Sequence, residues 1–591
     1  MICFKIFVKW LGLKIFLSLK PCVSIYKFKF NYMYWLNENS RSFLAKGYLV
    51  PGKSAEDRIK EIALRAEEIL KKPGFADKFY DYMSKGYYSL SSPVWSNFGL
   101  SKGFPISCFS SYLGDDMGQI MFTQAEVGMM SKFGGGTAGY FGDLRPRGAE
   151  IKDNGTSSGA VHFMQLFETL VNVVSQGSVR RGHFSPYLPV EHPDIEEFLN
   201  IGTEGNPMQE MTYGITVSDK WLNEMEAGDV EKRNIWAKIL QRRSQMGYPY
   251  IFFSDTVNNN TVDVYKDKNL KIKASNLCSE ILLPSNEDWS FVCNLSSLNL
   301  VHYEKFKDTD AIETLVYFLD AVMSDFITRL EELRDSNDKR KQEAFHFLSK
   351  AYNFALANRA LGLGVLGWHS YLQSKKISFE DKEALRINTR IFQDISEKAL
   401  EASKKLAKEY GEPEILKGYG RRNTTLMAIA PTTSSAFILG QVSQSIEPIW
   451  SNCYVKDIDK MKVTIKNKYL ENLLEEKGKN DKETWLSIRN NDGSVQHLDF
   501  LSDYEKEIFK TFKEIDQKII IDQAAGRQTY IDQSQSLNLA INPEVPTKEI
   551  NALYLYAWKL GVKTLYYQHS VNAAQQFGRL KDLQNCKSCE A

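Results

Sequence analysis

Asn276-Leu277-Cys278-Ser279-Glu280, followed closely by Phe291-Val292-Cys293-Asn294-Leu295-Ser296, is the stretch that decides how the rest of this chain is read. An amide, a thiol and a carboxyl occupy alternate positions, so in an extended backbone all three side chains share one face. Such a face could hold one small substrate. The thiol could act as nucleophile, metal ligand or hydrogen-atom donor. A closed tetrahedral metal site needs Cys-x-x-Cys pairs, which this segment lacks. The local signature of a cysteine protease is also missing. Neither objection decides the matter alone.

Composition narrows the setting. The chain has 591 residues, 43% hydrophobic and 25% charged, enough to bury a large core as two or more domains or one large barrel. Lys+Arg of 74 against Asp+Glu of 73 leaves a net charge of +1. With no basic stripe to neutralise a polynucleotide backbone, no nucleic-acid partner is expected. Eight scattered cysteines read as thiols in a reducing compartment, hence a cytoplasmic protein. Residues 1–32 are apolar but interrupted by Lys5, Lys9, Lys14 and Lys20. A membrane span needs about 20 nearly uninterrupted apolar residues, and no small-residue cleavage site follows. These residues are read as an extension with no catalytic consequence, Met33 being the working start, and no membrane association is expected.

Helix and strand patterns alternate along the remainder. Ser54 caps an amphipathic run that follows it. Helical periodicity recurs at about 158–175, 311–334, 341–357 and 380–410, with β-rich runs at Tyr250-Ile-Phe-Phe and Leu426-Met-Ala-Ile-Ala between them. This alternation predicts an α/β architecture around a buried sheet. The charged stretch 455–515 reads as an irregular, solvated insertion. Gly362-Leu-Gly364-Val-Leu-Gly367 formally matches the dinucleotide fingerprint, but a helical pattern precedes it where a strand is required. We therefore read these glycines as permitting close backbone packing.

Six motifs occur in order: Pro105-Ile-Ser107-Cys108-Phe, Asn276 to Glu280, Cys293-Asn-Leu-Ser, Pro431-Thr-Thr-Ser-Ser435, Lys563-Thr-Leu-Tyr566-Tyr567-Gln, and Cys586-Lys-Ser-Cys589. The set resembles the large catalytic subunit of class I ribonucleotide reductases, from about Tyr34 to the last residues. The resemblance implies a ten-stranded α/β barrel of the ribonucleotide reductase and glycyl radical enzyme type. Its expected organisation is an N-terminal helical region at 33–105, the catalytic barrel at 106–570 and a flexible redox tail at 571–591.

The resemblance also implies roles. Cys278 would become a thiyl radical that takes the 3′ hydrogen of the ribose, Glu280 would be base at the 3′ hydroxyl, and Asn276 would orient the sugar. Cys108 and Cys293 would supply two reducing equivalents and end as a disulfide, which Cys586 and Cys589 would reduce and relay to thioredoxin or glutaredoxin. The substrate, a ribonucleoside diphosphate, would be gripped at Pro431, Thr432, Thr433, Ser434 and Ser435, with further contacts at Ser92, Ser107 and Gly136. Tyr566 and Tyr567 would relay the radical.

No cofactor is expected on this chain. The radical would come from the metal cofactor of a small beta subunit, and the working unit would be a homodimer with that partner. Asp115, Arg145, Gln176 and Arg180 align with positions that bind or report a specificity nucleotide, dNTP or ATP. The cone-shaped domain that binds ATP or dATP in many class I large subunits is missing, since too little chain precedes Ser54, so overall activity control is expected to be absent or housed in the partner. Two other readings are an adenosylcobalamin-dependent (class II) reductase, because those enzymes can carry a similar tyrosine pair, and a non-catalytic zinc-binding scaffold.

Overall fold

A computed structural model of the chain describes residues 32–176, 181–458 and 461–570. The expected extension before residue 32, Arg180, and the tail with Cys586 and Cys589 lie outside the described residues.

The N-terminal helices follow directly from their sequences. Ser54 accepts a hydrogen bond from the Asp57 N–H, and the helix Ala55–Leu70 ends where Lys71 turns left-handed at φ 50°. Ile59, Ile62, Ala63 and Ala66 form its buried stripe. Beside this stripe Arg65 reaches Asp325 at 2.9 Å. Asp325 sits on the long helix Ala311–Arg334, whose Leu315, Phe318, Leu319, Val322 and Phe326 are fully buried. That pair and the apolar stripe dock the helical region on the barrel.

The barrel is two parallel half-sheets joined head to tail. In the first half, Cys108–Tyr112, Gly136–Tyr140, His183–Pro189, Gly214–Val217 and Tyr250–Phe253 pair in that order, all parallel. The second half begins with Phe291–Asn299 parallel to Leu361–Leu366. It continues through the parallel bridges Leu363 to Met427 and Ile429 to Gln535, then through Leu539–Ala540 beside Gln568–His569. Two antiparallel seams close the ring: Cys108 lies opposite Cys293, and Phe252 lies opposite Thr564. Among the described residues the two half-sheets thus curl around one interior, the α/β barrel type that the family resemblance implied.

Several sequence readings are reproduced closely. Helices occupy Ala160–Val173, Ala311–Arg334, Lys339–Asn358 and Lys382–Tyr410. The glycine pattern falls in and just after the strand Leu361–Leu366, behind a helix, and is a packing device. A Cβ on Gly362 would stand 2.3 Å from Leu295 and 3.2 Å from the Cys293 sulfur, and one on Gly364 would stand 2.9 Å from the Ala428 carbonyl oxygen.

Other readings are corrected. Leu426-Met-Ala-Ile-Ala is not a full strand, because the Asp532 carboxylate takes the Leu426 and Met427 N–H groups at 2.6 and 2.8 Å and leaves only single bridges. Around the tyrosine pair the chain forms two short strands, Thr564–Leu565 and Gln568–His569, which pair with different neighbours. In its described residues, 455–458 and 461–515, the charged stretch is built of regular elements rather than irregular. It contains the antiparallel pair Cys453–Ile458 and Met461–Lys466 and three helices, each with a side-chain N-cap at Asn467, Asp481 or Ser502. Leu470, Leu474, Trp485, Ile488 and Val495 give it a small core of its own.

Candidate active site

Between the two half-sheets the chain forms a tight finger around Cys278, not an extended segment. Asn276 and Ile281 pair across its base: the Asn276 N–H donates to the Ile281 carbonyl at 3.3 Å, and the Ile281 N–H donates to Asn276 Oδ1 at 3.1 Å. Leu277 and Cys278 form the turn, and Ser279 closes it with φ 69°, in the left-handed region. Asn276, Cys278 and Glu280 are therefore brought together by a turn, not by strand alternation.

The finger is held from every side by buried polar groups. Ser536 Oγ donates to the Cys278 carbonyl at 2.6 Å, and Thr564 Oγ1 to the Ser279 carbonyl at 3.0 Å. The Ser534 N–H reaches the Glu280 carbonyl at 2.9 Å, and Gln533 Oε1 accepts from the Leu282 N–H at 3.1 Å. The Tyr187 hydroxyl and Ser275 Oγ lie 2.5 Å apart at the entry. A loop inside a barrel has no water to satisfy its peptide groups, so these side chains replace it.

Sequence reasoning missed Gln533, Ser534, Ser536, Thr564 and Tyr187. Asp532-Gln533-Ser534-Gln535-Ser536 resembles an exposed polar loop, yet Gln533 to Ser536 are all buried. The apolar run Leu537-Asn-Leu-Ala-Ile541 that follows it was the available signal.

Glu280 is fully buried. Its Oε2 accepts from Ser536 Oγ at 3.1 Å, while Oε1 makes no hydrogen bond. Burial pushes the carboxyl up to about 7, against weaker downward pulls from its own backbone N–H, Asn276 and Ser536. A carboxyl poised there can accept a proton at neutral pH.

Cys108 and Cys293 are directly opposed across the first seam, both as thiols. Opposed cross-strand positions hold their Cβ atoms about 4.5–5.5 Å apart, near the separation of about 3.5–4.5 Å that a disulfide spans. Burial raises the Cys293 thiol well above its ordinary range, the neighbouring Cys108 raises it further, and Gln533 opposes both.

Tyr566 and Tyr567 sit at the second seam with ring centroids 4.5 Å apart. Tyr250 packs on both, at 4.7 and 5.1 Å, a neighbour that adjacency in sequence gave no means of finding. The Tyr566 N–H donates to the Leu537 carbonyl at 2.9 Å and the Tyr567 N–H to Asn538 Oδ1 at 3.1 Å, which fixes the backbone of the pair.

The Ser/Thr run opens the short helix Thr433–Ile438, with Thr432 left-handed at φ 52° and no side-chain cap. Ser434 Oγ is buried without a partner. Ser89 Oγ donates to the Ser435 carbonyl at 3.3 Å, so the helix that begins at Ser92 lies close by. Ser107 immediately precedes the Cys108 strand, and its carbonyl accepts from the Gly136 N–H at 2.7 Å. A Cβ on Gly136 would stand 3.3 Å from Leu277, against the finger.

Among the positions expected to bind or report a specificity nucleotide, Arg145 Nε and the Asp115 carboxylate pair at 2.7 Å. Gln176 lies elsewhere, 3.4 Å from Asn97, and the structure does not join it to that pair. Among the described residues no group of three or more His, Cys, Asp or Glu is placed to hold a metal ion. Among them, too, no helix is long and apolar enough to cross a membrane.

Comparison with known proteins places this geometry. The model of the ribonucleotide reductase barrel domain matches residues 106–231, 220–415 and 414–568, and that of the ribonucleotide reductase all-alpha domain matches 34–103. A Frog virus 3 (isolate Goorha) chain assigned as a ribonucleoside-diphosphate reductase large subunit is 36% identical over 515 residues, covering 84% of this chain and 88% of its own. The ribonucleoside-diphosphate reductase large subunit of Invertebrate iridescent virus 3 is 33% identical over 573 residues, with the same coverage of 84% and 88%. Among solved structures, the class Id ribonucleotide reductase alpha subunit of Actinobacillus ureae superposes with a TM-score of 0.86 at 55% identity, covering 92% of this chain and 99% of that one.

Proposed function

This chain belongs to the ribonucleotide reductase large-subunit family, and from that premise we propose how its side chains divide the reaction. The enzyme is an oxidoreductase that converts ribonucleoside diphosphates to 2′-deoxyribonucleoside diphosphates. The observation that carries the division of labour is the finger: one loop presents Cys278 and Glu280 between a dithiol seam and a tyrosine seam.

In this reading Cys278 takes the 3′ hydrogen as a thiyl radical and returns it at the end. Glu280 accepts the 3′ hydroxyl proton through the unpartnered Oε1, and Asn276, whose Oδ1 already braces the finger, orients the sugar with its amide. Loss of the 2′ hydroxyl as water consumes two electrons and two protons. Cys108 and Cys293 supply them and become a disulfide, so the balance is diphosphate plus dithiol to deoxydiphosphate, disulfide and water. Cys586 and Cys589 reduce that disulfide and pass the oxidation to thioredoxin or glutaredoxin. Substrate phosphates sit at 431–435 with Ser92, Ser107 and Gly136, supported by the buried unpartnered Ser434 hydroxyl.

The radical originates in the metal cofactor of a small beta subunit and enters through Tyr566 and Tyr567, whose ring contact supports the route. The chain works as a homodimer, with Asp115, Arg145, Gln176 and Arg180 serving a dNTP or ATP specificity site. Its organisation is the helical region 33–105, the barrel 106–570 and the redox tail 571–591, in the cytoplasm.

Relatives named as large or alpha subunits presuppose a second subunit, which disfavours the adenosylcobalamin reading. The test is CDP reduction with dithiothreitol, with a candidate small subunit or with adenosylcobalamin. Turnover only with the small subunit is expected; turnover with adenosylcobalamin alone would overturn the class I assignment.

A further inference from the structure

Gln533 is fully buried and uses its whole side chain to join three parts of the site. Its Oε1 accepts from the Leu282 N–H, at the base of the finger, at 3.1 Å. Its amide nitrogen donates to the Leu361 carbonyl at 2.9 Å and points at the Cys293 sulfur at 3.7 Å. Its own backbone is fixed, because Lys563 Nζ and Gln528 Nε2 donate to the Gln533 carbonyl at 2.9 and 3.0 Å. An amide held this firmly is a directed N–H donor, not a mobile one.

The two sulfurs of the dithiol seam differ in access. Cys293 is completely buried, whereas Cys108 keeps 9% of its surface. In thiol exchange the attacked sulfur must be reachable, and the other must leave as a thiolate, faster the more that thiolate is stabilised. Exposure selects Cys108 for attack. Attack there makes Cys293 the sulfur that departs, into a dry site that disfavours its thiolate, and the Gln533 N–H is the donor that offsets this cost.

We propose that Gln533 makes reduction of the Cys108–Cys293 disulfide directional, by donating a hydrogen bond to the departing Cys293 thiolate while the incoming thiol bonds to Cys108. The inference rests on the reading of Cys108 and Cys293 as the redox pair. A thiolate of the reductant dithiol attacks the Cys108 sulfur, the Cys108–Cys293 bond breaks, and its electron pair stays on Cys293 beside the Gln533 N–H. Cys293 then takes the proton of the second reductant thiol. That second sulfur displaces Cys108, which takes up the proton released by the first. The products are the protein dithiol and the oxidised reductant, with two electrons transferred.

Two measurements on the full chain test this. The oxidised enzyme is treated briefly with 2-mercaptoethanol, quenched in acid, alkylated and peptide-mapped. The adduct should sit on Cys108 with Cys293 alkylated; an adduct mainly on Cys293 overturns the proposal. Failure to form the disulfide at all would instead contradict the redox pairing, so the two failures are distinguishable.

The second measurement follows disulfide reduction by dithiothreitol in Gln533→Glu and Gln533→Met. Both should be slowed about 10- to 100-fold at pH 8, the loss expected for a hydrogen bond to a charged group. Glu keeps an acceptor for Leu282 and regains a donor only when protonated, a form that burial favours by raising the carboxyl above its ordinary range. Its rate relative to wild type should therefore recover as pH falls from about 8 to about 6. A Gln533→Glu profile parallel to wild type, or wild-type rates in Gln533→Met, would overturn the role.

Discussion

At one seam of the barrel Cys108–Tyr112 runs antiparallel to Phe291–Asn299; at the other Tyr250–Phe253 runs antiparallel to Thr564–Leu565. The same device, an antiparallel crossing between parallel half-sheets, sets distant parts of the chain face to face at both places. The first seam opposes two sulfurs on adjacent strands and keeps one of them fully dry. The second gathers three tyrosine rings within contact. Both are tied to the finger, the first through Gln533 and the second through Thr564. In the function proposed above, the difference separates two kinds of redox chemistry: an electron pair passes from the sulfur seam to the substrate, and single electrons pass through the ring seam to the finger.

That contrast can be broken at each point. Cys293→Ser should reduce steady-state turnover on the order of a thousandfold, as for one member of a unit that acts together, while leaving substrate affinity intact in equilibrium binding. Glu280→Gln should lower kcat/KM about 100- to 1,000-fold. In wild type kcat/KM should fall as pH drops below about 7, because the carboxyl is then protonated and accepts no proton; the variant should lose this acidic limb. Tyr566→Phe keeps the ring and removes the O–H, so radical-dependent turnover should fall about 100-fold with unchanged thermal stability. Thr564→Val should have the smallest effect, about 1–3 kcal/mol of unfolding free energy in a denaturant titration, since it leaves the Ser279 carbonyl unpaired inside the barrel.

Much of this was legible in the sequence because local rules carried it. Periodicity and the Ser54 cap located the helices, while the barrel came from the family resemblance carried by the order of Cys108, Cys278, Cys293, the Ser/Thr run and the tyrosine pair. Long-range contacts were not legible. Nothing in the run 532–536 says that Gln533 touches Cys293, because that contact depends on a crossing 240 residues apart in sequence. The turn of the finger was not legible because the spacing of Asn276, Cys278 and Glu280 fits a strand and a turn alike, and the left-handed Ser279 has no local signature. The 455–515 insertion looked irregular because its core is sparse. Leu470 with Leu474 and Trp485 with Ile488 are correctly spaced for helices but are diluted among charges.

The most direct test of the account is dCDP formation in a single turnover by wild type and Cys278→Ser, each prereduced and mixed with the small subunit and CDP. Wild type should form dCDP and finish with Cys108 and Cys293 oxidised, and Cys278→Ser should form none while still binding CDP. Formation of dCDP by Cys278→Ser would contradict the assignment of the finger thiol as the group that takes the 3′ hydrogen.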